Sequence, residues 1–312
     1  ALRFDLRQYK YIKMFVHAEA YKNKPLHDNQ AVAFIRLGTD FSDNYYQIEI
    51  PLKVTQPGSS SEYAIWPKEN QFSIPMEVLT KLKAISIRNQ TLDRVTYYDA
   101  NYNVVSENAP YHAGENRYVI KGNPSLGSVR AMMVGIKNVS GNNGLSGEFW
   151  FNELRVAELE NHGGWAAVGS LDANASELLN ISATGRMHTV GFGSVDQTPK
   201  QRALESTQEY DVMMNVNAGK LLPPKWNMQI PVGLSHSQKR STPEYDPVYQ
   251  DIKLKDRLEV AQSSSERDVI REQAEDFTLR RGINLIGVKK NLSEGQKPRV
   301  YNIENFTFNY AY

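Results

Sequence analysis

The 312-residue chain contains no cysteine. That absence excludes disulfide staples, thiolate zinc sites and a cysteine nucleophile, and it fits a bacterial envelope protein. No stretch reaches the roughly 18 apolar residues of a transmembrane helix, although a barrel strand leaves no such mark. Charge of one sign is also missing. Lys and Arg number 36 against 35 Asp and Glu, a formal net charge of +1, and no basic stripe is present to track a phosphate backbone, so no nucleic-acid partner is expected. The six histidines, His17, His27, His112, His162, His188 and His236, form neither H-x-H nor H-x-x-x-H, which leaves no metal motif. Gly191-Phe192-Gly193-Ser194 lacks the Lys-Ser/Thr and the following helix of a phosphate loop and reads as a strand end. No G-x-S-x-G elbow occurs, and no S-x-x-K stands beside a partner motif. The expectation is a protein that is not an enzyme, with no cofactor and no metal.

What the chain does have is alternation. In the stretch 205–237, Tyr210, Val212, Met214, Val216 and Ala218 fall on one side of an extended strand, with Asp211, Met213, Asn215 and Asn217 on the other. After Gly219 and Pro223-Pro224, which stop a ladder, Met228, Ile230, Val232 and Leu234 oppose Asn227, Gln229, Gly233 and Ser235. Trp226 marks the boundary between the two runs. A soluble sandwich and an outer-membrane barrel both give such alternation; Asn, Gln, Gly and Ser on the polar side, with aromatics at strand ends, tilt the reading toward the barrel.

Residues 1–160 read as a β-sandwich domain. Its candidate strands are 11–20, 30–37, 45–52, 84–89, 117–120, 129–137 and 148–156. Gly38, Asp40, Asp43 and Asn44, the run at 57–61 and the cluster Gly141-Asn142-Asn143-Gly144 supply turns. The segment 75–82 is helix-like, with Pro75 in the first turn and Val78, Leu79 and Leu82 on one face.

Gly163-Gly164 is the expected seam. Residues 161–312 then offer strands at 165–175, 181–191, 209–218, 227–236, 277–289 and 304–312. Six strands cannot close around a pore, so they are expected to form an arc of a larger outer-membrane β-barrel. The candidate lipid-facing residues are Val212, Met214, Val216, Ile230, Val232, Leu234, Phe306, Phe308 and Tyr310. Short turns after Ala175 and Ala218 and long connections at 192–207 and 239–276 set a direction, since barrels keep short turns in the periplasm. The long connections, including a helix near 266–276 capped by Ser265, are then expected outside the cell, along with residues 1–160 as an insert or cap. Both chain ends read as cuts through a longer protein, with any export signal lost or lying upstream.

The wording of the sequence carries a resemblance. KMFVHAEAY at 13–21, AFIRLGTDFSDNYYQIEIPL at 33–52, GNPSLGSVRAMMVGIKN at 122–138, GEFWFNELRVAELENHGGWAAVGSLDAN at 147–174, YDPVYQDIKLKDRL at 245–258, RRGINLIGVKKN at 280–291 and YNIENFTFNYAY at 301–312 resemble the SprA/Sov family, outer-membrane translocons of the type IX secretion system. The resemblance implies a very large single-chain barrel in the outer membrane of Bacteroidota, exporting folded cargo with a C-terminal signal and tied to gliding motility. It also implies a PorV-like partner at a lateral opening, a plug protein on the periplasmic side, and contact with outer-membrane lipid. This chain is a fraction of the family's length and cannot conduct cargo alone.

Two rival readings stand beside it. A soluble two-domain surface protein would use the sandwich to bind carbohydrate, with Tyr45-Tyr46 and Tyr97-Tyr98 offering rings on both faces of a strand. A hydrolase would use Glu148 and Glu153 around Phe149, Trp150 and Phe151, against the plainer reading that Glu153 pairs with Arg155. Asp40, Asp43 and Asn44 lack the ligand spacing of a calcium loop, and a turn-forming use is expected. His17 is expected to be a strand-face histidine with a hydrogen-bond partner.

Overall fold

The computed structural model describes residues 3–22, 24–141, 144–198, 201–292, 299, 301 and 303–312. Asn142 and Asn143 of the expected turn lie outside them. The chain forms two compact units, residues 1–161 with 245–270, and residues 162–244 with 271–312. The first division between them falls between Asn161 and His162, just ahead of Gly163-Gly164. The connection 239–276 does not stay with the second unit, however: its middle, 245–270, belongs to the first. Sequence gives no cue to this, because the contacts that hold the segment join residues far apart in the chain.

In the first unit the elements are β1 (Tyr9–Ala20), β2 (Ala31–Gly38), β3 (Tyr45–Pro51), α1 (Glu62–Ile65), β4 (Gln71–Pro75), α2 (Met76–Arg88), β5 (Thr96–Tyr98), β6 (Val104–Val105), β7 (Arg117–Lys121), β8 (Ala131–Asn138) and β9 (Gly147–Leu159). They form an antiparallel sandwich, one sheet in the order β4-β1-β9 and the other β6-β5-β7-β3-β2-β8. Alternation decides which side chains enter the core. Ile12, Met14, Val16 and Ala18 of β1 meet Ala33, Ile35 and Leu37 of β2 and Tyr46, Ile48 and Ile50 of β3 in one buried cluster. Each large apolar side chain so buried contributes about 1.5–3 kcal/mol.

The stretch 84–89, expected as a strand, is the second half of α2. Its buried residues Met76, Leu79, Leu82, Lys83 and Ser86 recur at helical spacing, so continuing the helix buries one face, which a strand would split between two. Pro75 is its N-cap, and Gln90 at φ 53° turns the chain away after it. The polar side of β3 is also covered: the Tyr111 hydroxyl donates to Glu49 (2.6 Å), and the Arg117 guanidinium lies 3.7 Å from the Tyr111 ring centroid. Residues 245–270 add α3 (Leu254–Glu259) and most of α4 (Ser264–Ala274). Ser263, not Ser265, caps α4. Its hydroxyl accepts from the Glu266 amide (3.1 Å) while Glu266 reaches back to the Gln262 amide (2.9 Å), close to a capping box.

The second unit comprises β10 (Ala166–Ala175), β11 (Leu179–His188), β12 (Glu205–Asn217), β13 (Met228–Gln229), β14 (Pro231–Pro243), β15 (Asp276–Lys290) and β16 (Phe308–Ala311). Each pairs antiparallel with its neighbour in the order β10-β11-β12-β14-β15-β16, and β13 continues the line of β14 along the far end of β15. The expected hairpin pairs Val216 with Val232 and Met214 with Leu234. Among the described residues β10 pairs only with β11 and β16 only with β15, so both edges are open.

Candidate functional site

The second unit has no core of its own: among the described residues every buried hydrophobic side chain belongs to the first. A sheet normally hides one face against another layer, and this one leaves both uncovered. Its faces are read from the register. On one lie Leu171 and Ala173 of β10, Leu179, Ile181 and Ala183 of β11, Val212, Met214 and Val216 of β12, Val232 and Leu234 of β14, Ile283 and Leu285 of β15, and Tyr310 of β16. Phe308, two residues from Tyr310, shares its side, and a bulge at Gly287 (φ +79°), a conformation that favours glycine, brings Val288 onto this face opposite it. The side chains are well exposed, Leu171 by 62%, Ile283 by 45% and Phe308 by 59%.

Of the residues singled out from sequence, Val212, Met214, Val216, Val232, Leu234, Phe308 and Tyr310 thus share this face. Ile230 and Phe306 do not: Ile230 sits in the break between β13 and β14, and Phe306 closes a 3-10 turn, its amide donating to Ile303 O. Alternation persists through both positions, and only the pairing reveals that the ladder is interrupted there.

The opposite face is polar. Asn174, Asn180, Asn215 and Asn284 stand in one line across four strands, with Gly233 completing it on β14. The next lines hold Asp172, Ser182 and Ser235, then Ser170, Thr184, Asp211 and Ser237. A groove of about 420 Å³ follows the asparagines, bordered also by Asn217 and Gln229. Further along, Arg186 makes a forked ion pair with Glu209 (3.0 and 2.9 Å). Val168, Met213 and Ile286 are exceptions on this side.

The apolar region is slanted across the hydrogen-bonded lines. On β11 it runs the whole strand to Met187; on β12 it ends at Tyr210, where Gln208 follows. On β14 it stops at Leu234 before His236; on β15 Arg281 interrupts it after Ile283, level with Ile181 of β11, and the exposed Leu279 and Phe277 follow on the same face. The boundary thus steps by two residues from β11 to β12, by four from β12 to β14 and by none from β14 to the break on β15. The Tyr210 ring stacks on His236 at that boundary (5.7 Å). Trp165 and Trp226, both more than half exposed, mark opposite ends of the strands.

In the sandwich, the residues weighed for chemistry make the following contacts. Glu153 pairs with Arg155 (2.6 Å). Asp40 accepts from the amides of Ser42, Asp43 and Asn44 (2.9, 2.6 and 3.0 Å), and these bonds, the Asp43 amide first, hold its carboxyl below the ordinary aspartate range. The His17 Nδ1 bonds Ile65 O (2.8 Å). No cluster of metal-ligating side chains occurs among the described residues. Sequence reasoning missed one buried polar group, Lys83 with Asp251 and Tyr46, because its members come from distant parts of the chain.

By class the protein is a β-sandwich joined to a two-faced antiparallel sheet with open edges. The family model SprA_N, a motility-related/secretion protein, matches residues 1–258, and the chain belongs to that family. The match covers the chain through β14 and ends within α3. No curated protein matches the chain.

Proposed function

We propose that the chain is part of a protein-conducting outer-membrane translocon for type IX secretion, its sheet an arc of a large β-barrel wall. The observation that carries this reading is the coreless sheet, apolar on one face, polar on the other and open at both edges. Lipid tolerates strands only where every backbone group is paired within a closed wall, so the open edges await strands beyond this chain. The ten-residue strands β10 and β11, at ~3.3 Å per residue and a ~45° tilt, rise about 23 Å, close to the ~25 Å apolar band of such barrels. The Asn and Ser face then looks into an aqueous passage, where small neutral polar groups wet the wall without a strong single-sign field to hold folded cargo.

The role is mechanical and not enzymatic. Folded cargo with a C-terminal signal, a PorV-like partner at the lateral opening and a periplasmic plug protein are the partners that family resemblance supports. The long connections leave β11 and β14 at the end of the sheet where β10 and β15 begin, and the short turn between β10 and β11 lies at the other. By the rule of short periplasmic turns, the sandwich is assigned to the extracellular side.

The absence of native cysteine in this stretch makes the test direct. Single cysteines at Val212, Met214 and Val232 in the membrane-embedded parent protein are expected to react with a lipid-soluble maleimide and resist a water-soluble one, with the reverse at Met213 and Ser235. Equal labelling of both sets by the water-soluble reagent overturns the assignment. Labelling of a cysteine in the sandwich only after cells are broken overturns the extracellular placement. In the carbohydrate-binding reading, a second layer would cover the apolar face of a water-soluble protein, and the lipid-soluble reagent would find none of these positions.

A further inference from the structure

The first unit contains a sealed reaction geometry that membrane transport does not require. Lys83, on the core face of α2, is 1% exposed, and so is Asp251, in the segment leading to α3. The Lys83 Nζ donates to Asp251 Oδ1 (2.6 Å) and to Pro124 O (2.7 Å). The other carboxylate oxygen, Oδ2, accepts from the Tyr46 hydroxyl (2.8 Å) and the Leu126 amide (3.2 Å). A second buried carboxylate, Asp246, acts electrostatically on Lys83 and is itself anchored by the Val248 and Tyr249 amides (2.8 Å each). The Tyr249 ring lies 5.5 Å from the Lys83 Nζ.

We propose that Lys83 and Asp251 condense into an intramolecular isopeptide bond. The Nζ–Cγ bond forms and the Cγ–Oδ1 bond breaks. Of the three protons on the ammonium, one stays on the amide nitrogen and two leave with Oδ1 as water. Charge balances and no oxidant is consumed.

Three features of the site favour the step. Burial lowers the proton affinity of Lys83, against the opposing pull of Asp251, and so promotes the neutral amine that is the nucleophile. The Tyr46 hydroxyl, kept protonated by its own burial, and the Leu126 amide stand where negative charge gathers on Oδ2 as the nitrogen adds. The product also fits the site better than the reactants do. A buried ion pair keeps two desolvated charges, whereas the amide is neutral: its N–H retains Pro124 O and its carbonyl retains Tyr46 and Leu126. The bond would tie residues 168 apart in sequence, a long closed loop whose constraint on the unfolded chain is large. It would give a chain without cysteine a cross-link independent of redox conditions.

The test is mass spectrometry of the full chain, purified folded, then denatured and digested with trypsin. Trypsin cannot cut after an acylated Lys83. The expected product is peptide 82–88 joined to peptide 241–253 with the loss of one water, fragmenting at Lys83 and Asp251. Free 241–253 together with cleavage after Lys83, and no joined species, overturns the proposal. In Lys83→Arg the joined species is expected to vanish, and its persistence there would equally overturn it. This readout is independent of where the sheet resides, so it stands or falls separately from the translocon reading.

Discussion

The two units use the same alternation of apolar and polar residues and reach opposite outcomes. In the sandwich, Ile48 of β3 has no exposed surface, because a second sheet and α2 close over it. In the second unit, Leu234 of β14 has an equally apolar line of neighbours yet stays 38% exposed. Period-two patterning fixes which side of a strand is apolar. It does not say what the apolar side meets. The chain belongs to a motility-related/secretion family and carries both outcomes, a sheet closed over by a core and a sheet whose apolar face is uncovered.

Five substitutions and one change of pH would break or sharpen this contrast. The largest effect is expected for Ile48→Ala, which removes a fully buried side chain and should lower the unfolding free energy of the sandwich by about 2–5 kcal/mol in denaturant titration. Leu234→Ala in water should change little by comparison, and an equal cost would mean the sheet has a core after all. Next comes Met214→Arg, which should cost about 2–4 kcal/mol in folding into bilayers if that face meets lipid, against about 0–1 kcal/mol for Ser235→Arg on the polar side. Equal costs for the two would erase the distinction between the faces. Ser263→Ala should remove about 1 kcal/mol by uncapping α4, read as faster amide exchange in its first turn.

The smallest effect concerns Asp40. Its folded carboxyl is shifted down, so the stabilisation it lends its turn is present above the ordinary aspartate range and lost only as the pH falls through the lowered value. The amides of Ser42, Asp43 and Asn44 should stay protected at pH 4 and lose protection on further acidification. Their loosening near or above the ordinary aspartate range would show that the three bonds do not hold.

Much of the architecture was legible without coordinates. The expected strands of the second unit coincide with its long strands, because alternation and turn residues are local signals, but six were expected and seven form: the run at 227–236 is broken into β13 and β14. In the first unit, β1, β2 and β3 likewise coincide with expected strands. The misreadings have specific causes. Ala84–Ile87 alternates well enough for a strand, and only the core-facing line from Met76 to Ser86 makes it helix. Ser265 stands beside the true cap, within the usual uncertainty of a helix end. Ile230 and Phe306 keep the alternation while the ladder around them is broken.

By itself the sequence determined what each strand can offer: one apolar side, one polar side, no thiols, no net field and no metal motif. These are properties of neighbours along the chain, where side-chain period and turn chemistry act. Tertiary structure alone decided which apolar sides find a partner, that residues 245–270 return to the sandwich, and that Lys83 meets Asp251. Such pairings depend on the closing of long loops, whose free energy is set by the whole fold and leaves no local trace in the residues that come together.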